Sequence, residues 1–326
     1  MIKKLKHALK ETLVSYKKID LLHQRELNDY KHSKVNLGQI QATLNNQKPK
    51  IKELSEVEFQ VFSQFGDDGI IQYLVNKLPL KNKTFIEFGV ENYREANTRF
   101  LLISNYWSGV VIDGSEENVQ AIKNESMYGY FDLRAKQSFI TKENIDNILK
   151  DSGFNKELAI LSIDIDGNDY WVWKAITSFE PDIIICEYNC LFGFEDAITI
   201  EYDPAFVRGK KTPFNFYGIS LKAAQQIASE RGYFFIGCNS AGNNAYFIHN
   251  KFRSVSPIEE RSAEAGYNFS VFSESRKNGE QQRGMDKIRS IDGLNVIDVN
   301  TMEVKKIDAE RIIQSLVRAN KFRGIH

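Results

Sequence analysis

Thr84-Phe-Ile-Glu87-Phe-Gly89-Val90 and, further on, Trp107-Ser-Gly-Val-Val-Ile-Asp113-Gly114-Ser115 are the stretches that decide the fold. Each is a short apolar run that stops abruptly at an acidic, glycine-bearing turn, as a buried strand does. Between them, Glu95 to Ser104 reads as a helix. The alternation continues outward. Glu116 to Asn124 is a helix, a strand lies near Ser138, and a helix begins near Thr141, whose hydroxyl can cap it. Leu158 to Ile165 is a strand, Trp171 to Ile176 a helix, and Asp182 to Cys186 a strand. Apolar strands separated by helix-length segments predict a parallel sheet covered on both faces.

The pattern then changes. A helix over Ser220 to Arg231 leads to Gly232-Tyr-Phe-Phe-Ile-Gly and Asn243-Asn-Ala-Tyr-Phe-Ile, two strands whose connection is too short for a crossover helix. They are expected to pair antiparallel. On this reading residues 55–250 form an α/β domain. Residues 1–54 are a helical extension with Ile2, Leu5, Leu9 and Leu13 at loosely helical spacing, and 251–326 a mixed extension ending in a helix over Asp308 to Asn320. The N-terminal helix is expected to pack on the body or on a second copy, the latter making a homo-oligomer, with a peripheral membrane anchor as the lesser alternative.

Composition narrows the classes. Lys plus Arg and Asp plus Glu both number 43, so formal charge favours neither nucleic acid nor an anionic membrane as a partner. Three cysteines are too few for a disulfide framework and lack zinc-site spacing. No apolar run reaches the length of a membrane span, and the basic N-terminus is not followed by a signal-peptide core. The expected location is cytoplasmic.

Open parallel sheets bind ligands at the carboxyl ends of their strands, and four such ends are acidic here. Glu87 and Gly89 follow the first strand, with Glu91 in the same turn: the glycine admits a close ligand and the carboxylate can meet an ammonium group. Asp113 ends the second strand, where a carboxylate can accept from both ribose hydroxyls of an adenosine cofactor. Ser115 can cap the following helix, which leaves Asp113 available. In Leu161-Ser-Ile-Asp164-Ile-Asp166-Gly-Asn-Asp169, period-two alternation sets Asp164 and Asp166 on one side. Glu187 and Asn189 follow the neighbouring strand. Such hard oxygen donors suit Mg²⁺ or Mn²⁺, and Fe²⁺ if further ligands complete the shell. The long connection from Tyr202 to Tyr217 reads as a lid, with Arg208, Lys210 and Lys211 as contacts for substrate phosphates.

Phe62-Ser-Gln-Phe-Gly-Asp-Asp-Gly-Ile70, Phe85-Ile-Glu-Phe-Gly-Val, Trp107 to Ser115 and Ser162-Ile-Asp-Ile-Asp-Gly-Asn-Asp-Tyr-Trp171 together resemble the FkbM-like class I methyltransferases, over roughly Phe59 to Ile248. The glycine-rich turn departs from many methyltransferases in carrying Glu91-Asn92 where they have further glycines. The resemblance implies a Rossmann-like sheet of five parallel strands plus the antiparallel hairpin. It also implies S-adenosylmethionine as cofactor, contacted by Ser63, Gln64, Glu87, Gly89, Glu91, Asp113, Gly114, Ser115 and Asp164, and methyl transfer to an oxygen of a sugar-like, nucleotide-linked substrate. The acids are also similar to those of metal-dependent O-methyltransferases. That likeness implies a divalent ion on Asp166 and Glu187, with Asn189 beside it, and Asp169 as general base, so that Asp166 and Asp169 carry the chemistry. Two rivals remain. Asp164-Ile-Asp166 fits the Asp-x-Asp signature of metal-dependent glycosyltransferases, and a non-catalytic binding protein could retain the fold.

Overall fold

Alternate residues of each central strand are apolar on both sides, and this is what lets one sheet carry two cores. The structure, a computed structural model, describes residues 32–154, 158–270, 272–273, 275–277 and 279–322; Ile2, Leu5, Leu9 and Leu13 lie outside them. β1 (Thr84–Phe88), β2 (Ser108–Asp113), β3 (Leu133–Gln137), β4 (Ile160–Ile163) and β5 (Ile183–Glu187) run parallel. β6 (Ile198–Thr199) belongs to a separate small sheet. β7 (Tyr233–Cys238) and β8 (Asn244–His249) pair antiparallel as the hairpin expectation holds, and β8 docks against β5. The order is β3-β2-β1-β4-β5-β8-β7. Only β8 opposes the rest of the sheet, because β7 turns back into the common direction.

The helices are α1 (residues 32–46), α2 (Asp67–Lys77), α3 (Arg99–Asn105), α4 (Glu116–Asn124), α5 (Ile145–Lys150), α6 (Asp169–Ala175) and α7 (Leu221–Glu230), followed by α8 (Ala263–Gly266), α9 (Met285–Arg289) and α10 (Ala309–Arg318). On one face Ile86, Val110, Leu161 and Ile184 pack with Ile145, Trp173 and Ile227 of α5, α6 and α7. On the other, Phe85, Val111, Ile160 and Ile183 pack with Ile70, Leu101 and Val119 of α2, α3 and α4. Each fully buried side chain of this kind contributes about 1.5–3 kcal/mol, so the sheet is anchored from both sides. The C-terminal residues join the first core through Val296, Ile312 and Leu316. There β11 (Asn295–Asp298) pairs antiparallel with both β12 (Val304–Lys306) and β6. A further two-stranded ribbon joins β9 (Arg276–Lys277) and β10 (Glu280–Gln281).

Differences from the sequence expectation have local causes. The helix expected from Glu95 begins at Arg99, because the Glu87 carboxylate accepts the amides of Asn97 and Thr98 and holds the preceding segment as a loop. The helix expected near Thr141 begins at Ile145, since the Asn144 side chain accepts the Thr141 amide and keeps a turn there. β4 ends at Ile163, so strand alternation does not reach Asp164 and Asp166. Ser115, Ser220 and Asp308 cap their helices through side-chain oxygens. Among the described residues no helix is long and apolar enough to cross a membrane.

Candidate functional site

Strand order reverses between β1 and β4, the switch point at which an open α/β sheet leaves a crevice beyond its carboxyl ends. A cavity of about 170 Å³ lies there, lined by Gln64, Glu87, Gly89, Glu91, Asp164, Asp166, Glu187 and Arg208 among others. This is below the roughly 300–1,000 Å³ common for ligand pockets, and its walls are mostly polar.

The floor depends on close backbone approach. Gly89 has φ +66°, and a Cβ there would lie 1.8 Å from the Asp164 carbonyl oxygen. Glu91, Tyr93 and Asp166 also adopt positive φ without being glycine. Such strain persists only where surrounding bonds over-determine it. Glu91 is held by its amide, which donates to Asp113 Oδ2 at 2.8 Å. Asp166 sits in a turn fixed by Asp169, whose two oxygens accept the amides of Ile165 and Gly167 at 3.0 Å each.

That turn, rather than strand pleating, brings Asp164 and Asp166 together. With Glu187 they form a cluster whose carboxylate oxygens lie within 4.8 Å of one another. Burial, and then the neighbouring Asp166 and Asp169, push the Asp164 carboxyl well above its ordinary range. Burial, followed by Asp164 and Asp166, does the same to Glu187. Glu187 Oε2 is buried without a hydrogen-bond donor. A cation placed among the three would relieve both the repulsion and the orphaned oxygen.

The counter-charge inside the crevice is Arg208, from the long connection after β6. Its Nη1 donates to Asp166 Oδ1 at 2.5 Å, and its guanidinium stacks 3.7 Å from the Tyr217 ring centroid and 4.3 Å from that of Phe214. It therefore faces the acids. Lys210 and Lys211 line a different, more apolar cavity of about 260 Å³ with Phe206, Phe216 and Leu294.

Several expected contacts are spent within the protein. Asp113 is not left available by Ser115: its oxygens accept from the amides of Glu91 and Ser115 and from Asn118 Nδ2, and it does not line the crevice. Gly114 accepts from Gln137 through its carbonyl, and Ser115 caps α4; neither lines the crevice. Both Glu87 oxygens accept from Asn97 and Thr98, although burial raises its pKa to about 7. The Ser63 hydroxyl bonds within its own loop, to Phe65 and Asp68, while Gln64 next to it reaches the cavity. The Asn189 amide turns away from the acids: its oxygen accepts the Leu191 amide and its nitrogen donates to the carbonyls of Asn215 and Tyr217.

The Asp67-Asp68 pair is a feature that strand-tip logic passes over, because it opens a helix. Asp68 Oδ2 accepts the amides of Val61, Phe62 and Ser63 at 2.7–2.8 Å and so pins the Gln64 loop. Asp67, fully buried, accepts from Asn239, Asn244 and Tyr246 and ties α2 to the β7–β8 hairpin, whose Asn243 and Asn244 close one wall. Acidic residues in a first helical turn were visible; their partners were not.

No protein-family model matches the sequence, and no curated protein matches it. Among solved structures, one of an S-adenosylmethionine-dependent methyltransferase from Clostridium acetobutylicum ATCC 824 is 12% identical, covering 56% of this chain and 90% of that chain, with a TM-score of 0.36. An O-methyltransferase from Bacillus cereus is 14% identical over 51% of this chain and 72% of its own, TM-score 0.33. A SAM-dependent methyltransferase from Aquifex aeolicus is 12% identical over 52% and 83%, TM-score 0.31.

Proposed function

We propose that the chain is an S-adenosylmethionine-dependent methyltransferase that modifies an oxygen of a small polar, sugar-like substrate with the help of a divalent cation. The observation that carries this reading is the convergence of Glu87, Asp164, Asp166 and Glu187 on one crevice at the β1/β4 switch point. It agrees with the motif order from Phe62 to Trp171. When bound, the cofactor supplies an electrophilic methyl group on a sulfonium centre.

The crevice suits a cationic ligand. Glu87, Glu91, Glu95, Asp164, Asp166 and Glu187 line it with Arg208, an excess of negative charge that attracts an ammonium, a sulfonium or a metal ion and repels phosphate. A nucleotide-linked substrate would have to keep its phosphates outside, nearer Lys210 and Lys211. Gln64, Glu91 and Glu95 are the residues best placed to meet an amino-acid moiety. Asp113 fits a ribose contact poorly while it holds the Glu91 amide, and acts instead as a positioning residue for the Gly89 turn. Asp164, Asp166 and Glu187 fit a divalent ion, which would fix and acidify a substrate hydroxyl. Asp169 orients their turn and, being fully buried, is a positioning residue rather than a base in contact with substrate.

Thermal-shift titration tests the proposal. S-adenosylhomocysteine is expected to raise the melting temperature, and Mn²⁺ to raise it further in the unmodified protein but not in Asp166→Asn. Stabilisation by UDP or GDP with Mn²⁺, and none by S-adenosylhomocysteine, would overturn it in favour of glycosyl transfer. No stabilisation by either set would leave a non-catalytic role.

A further inference from the structure

A second cavity, of about 300 Å³, lies along the outer edge of β7, the terminal strand of the sheet. Residues 236–238 of β7 form one side of it, and Arg261, residues 265–269 and Lys321 form the other. The Arg261 amide donates to the Phe235 carbonyl at 2.8 Å, which fixes that second side against the strand edge. The cavity shares no lining residue with the crevice.

Two half-buried cations meet there. Arg261 Nη1 donates to the Ala265 carbonyl at 3.3 Å and Lys321 Nζ donates to the same oxygen at 3.1 Å, so one acceptor holds the two charges as neighbours. Their other bonds also go to carbonyls, from Arg261 Nη2 to Lys52 and from Lys321 Nζ to Tyr267 at 3.2 Å. Main-chain oxygens orient a cation but bring no formal charge to neutralise it. Glu53 lines the cavity as well, yet among the described residues no carboxylate makes an ion pair with Arg261 or Lys321. Burial, and then Arg261, push the Lys321 amine below its ordinary range. Like charges held side by side and partly desolvated are costly unless an anion compensates them.

We propose that this cavity binds a phosphate monoester carrying a small apolar body, held by Arg261 and Lys321. Two adjacent positive charges match the charge of about −1.5 to −2 on a phosphate monoester at neutral pH better than the single charge of a carboxylate. The guanidinium can take two phosphate oxygens and the ammonium a third. Leu54, Ile236 and Phe269 are buried and supply an apolar wall for the organic part. The volume reaches the lower end of the roughly 300–1,000 Å³ common for ligand pockets. The acidic crevice repels the same ligand, so charge alone sorts it to this cavity. The assignment is independent of the methyltransferase reading, because no residue of the crevice takes part in it.

Calorimetric titration of the full chain with phenyl phosphate, inorganic phosphate and benzoate tests this. Phenyl phosphate is expected to bind more tightly than either of the others, because it alone joins the dianion to an apolar ring. Lys321→Met should weaken it by about tenfold or more, and Lys321→Arg, which keeps the charge, should restore most of the affinity. Ser55→Asp sets a carboxylate at an exposed position of the lining and should weaken phenyl phosphate as much, with the melting temperature of the free protein unchanged. The thermal shift with S-adenosylhomocysteine should be the same in all these variants, so that either reading can fail without the other. No binding of phenyl phosphate, or an unchanged affinity in Lys321→Met or in Ser55→Asp, overturns the proposal. Benzoate binding as tightly as phenyl phosphate overturns the assignment to a phosphate. Affinity lost in Lys210→Met with Lys211→Met but kept in Lys321→Met would move the phosphate to the other cavity and overturn it too.

Discussion

Replacing Arg208 with Met should tighten divalent-cation binding rather than weaken it. The guanidinium occupies Asp166 Oδ1 at 2.5 Å and is mostly buried, at 13% side-chain exposure, while Asp166 is open at 54%. Unit charges 4 Å apart in a medium of effective dielectric near 20 attract by about 4 kcal/mol. Exposure of Asp166 reduces this to roughly 1–2 kcal/mol. A cation displacing Arg208 must overcome that attraction, so its removal is worth about 5–30-fold in affinity. Met retains an apolar stem against Tyr217 and Phe214 but loses the stacked charge, at a cost of about 0.5–2 kcal/mol to the metal-free fold. Calorimetric titration with Mn²⁺ reads the affinity and urea denaturation reads the fold. Combining Arg208→Met with Asp166→Asn should abolish the gain. An Mn²⁺ affinity that is unchanged or weaker in Arg208→Met, or no Mn²⁺ binding in either protein, refutes the reasoning.

Gly89→Ala should destabilise the fold by about 3 kcal/mol or more, because it combines a positive φ with a Cβ 1.8 Å from the Asp164 carbonyl; a urea midpoint within error of the unmodified protein would contradict the packing described. Asp68→Ala should cost about 3 kcal/mol by stranding the amides of Val61, Phe62 and Ser63, and Asp68→Asn, which keeps one acceptor oxygen, about 1 kcal/mol; equal losses would argue that the loop rehydrates freely. Burial raises the Glu87 pKa from 4.5 to about 7, so the folded state holds that proton more tightly than the unfolded chain. Its stabilising contribution is then complete below about pH 4.5 and is lost as pH rises through 7, by up to about 3 kcal/mol. Glu87→Gln should flatten the decline in urea midpoint between pH 5 and pH 7.5, and an unaltered slope would assign the pH dependence to other groups.

The sheet was readable because its strands are apolar on both faces. Ile183-Ile-Ile-Cys-Glu187 reads as a strand covered on both faces, and the short link before Asn243 pointed to an antiparallel return. The acids of the site were readable as types: a carboxylate just past an apolar run must lie at a strand tip. Their partners were not readable, since each is set by contacts distant in sequence. Asp113 is engaged by the Glu91 amide 22 residues away, Arg208 reaches Asp166 across 42 residues, and Asp67 meets Tyr246 across 179. The sequence by itself determined where negative charge would gather, because strand ends fix positions along the chain's local period. Which of those charges face the crevice and which bind the protein's own amides was decided only by tertiary structure, because a carboxylate's role follows from the donors that surround it, and packing alone brings those donors near.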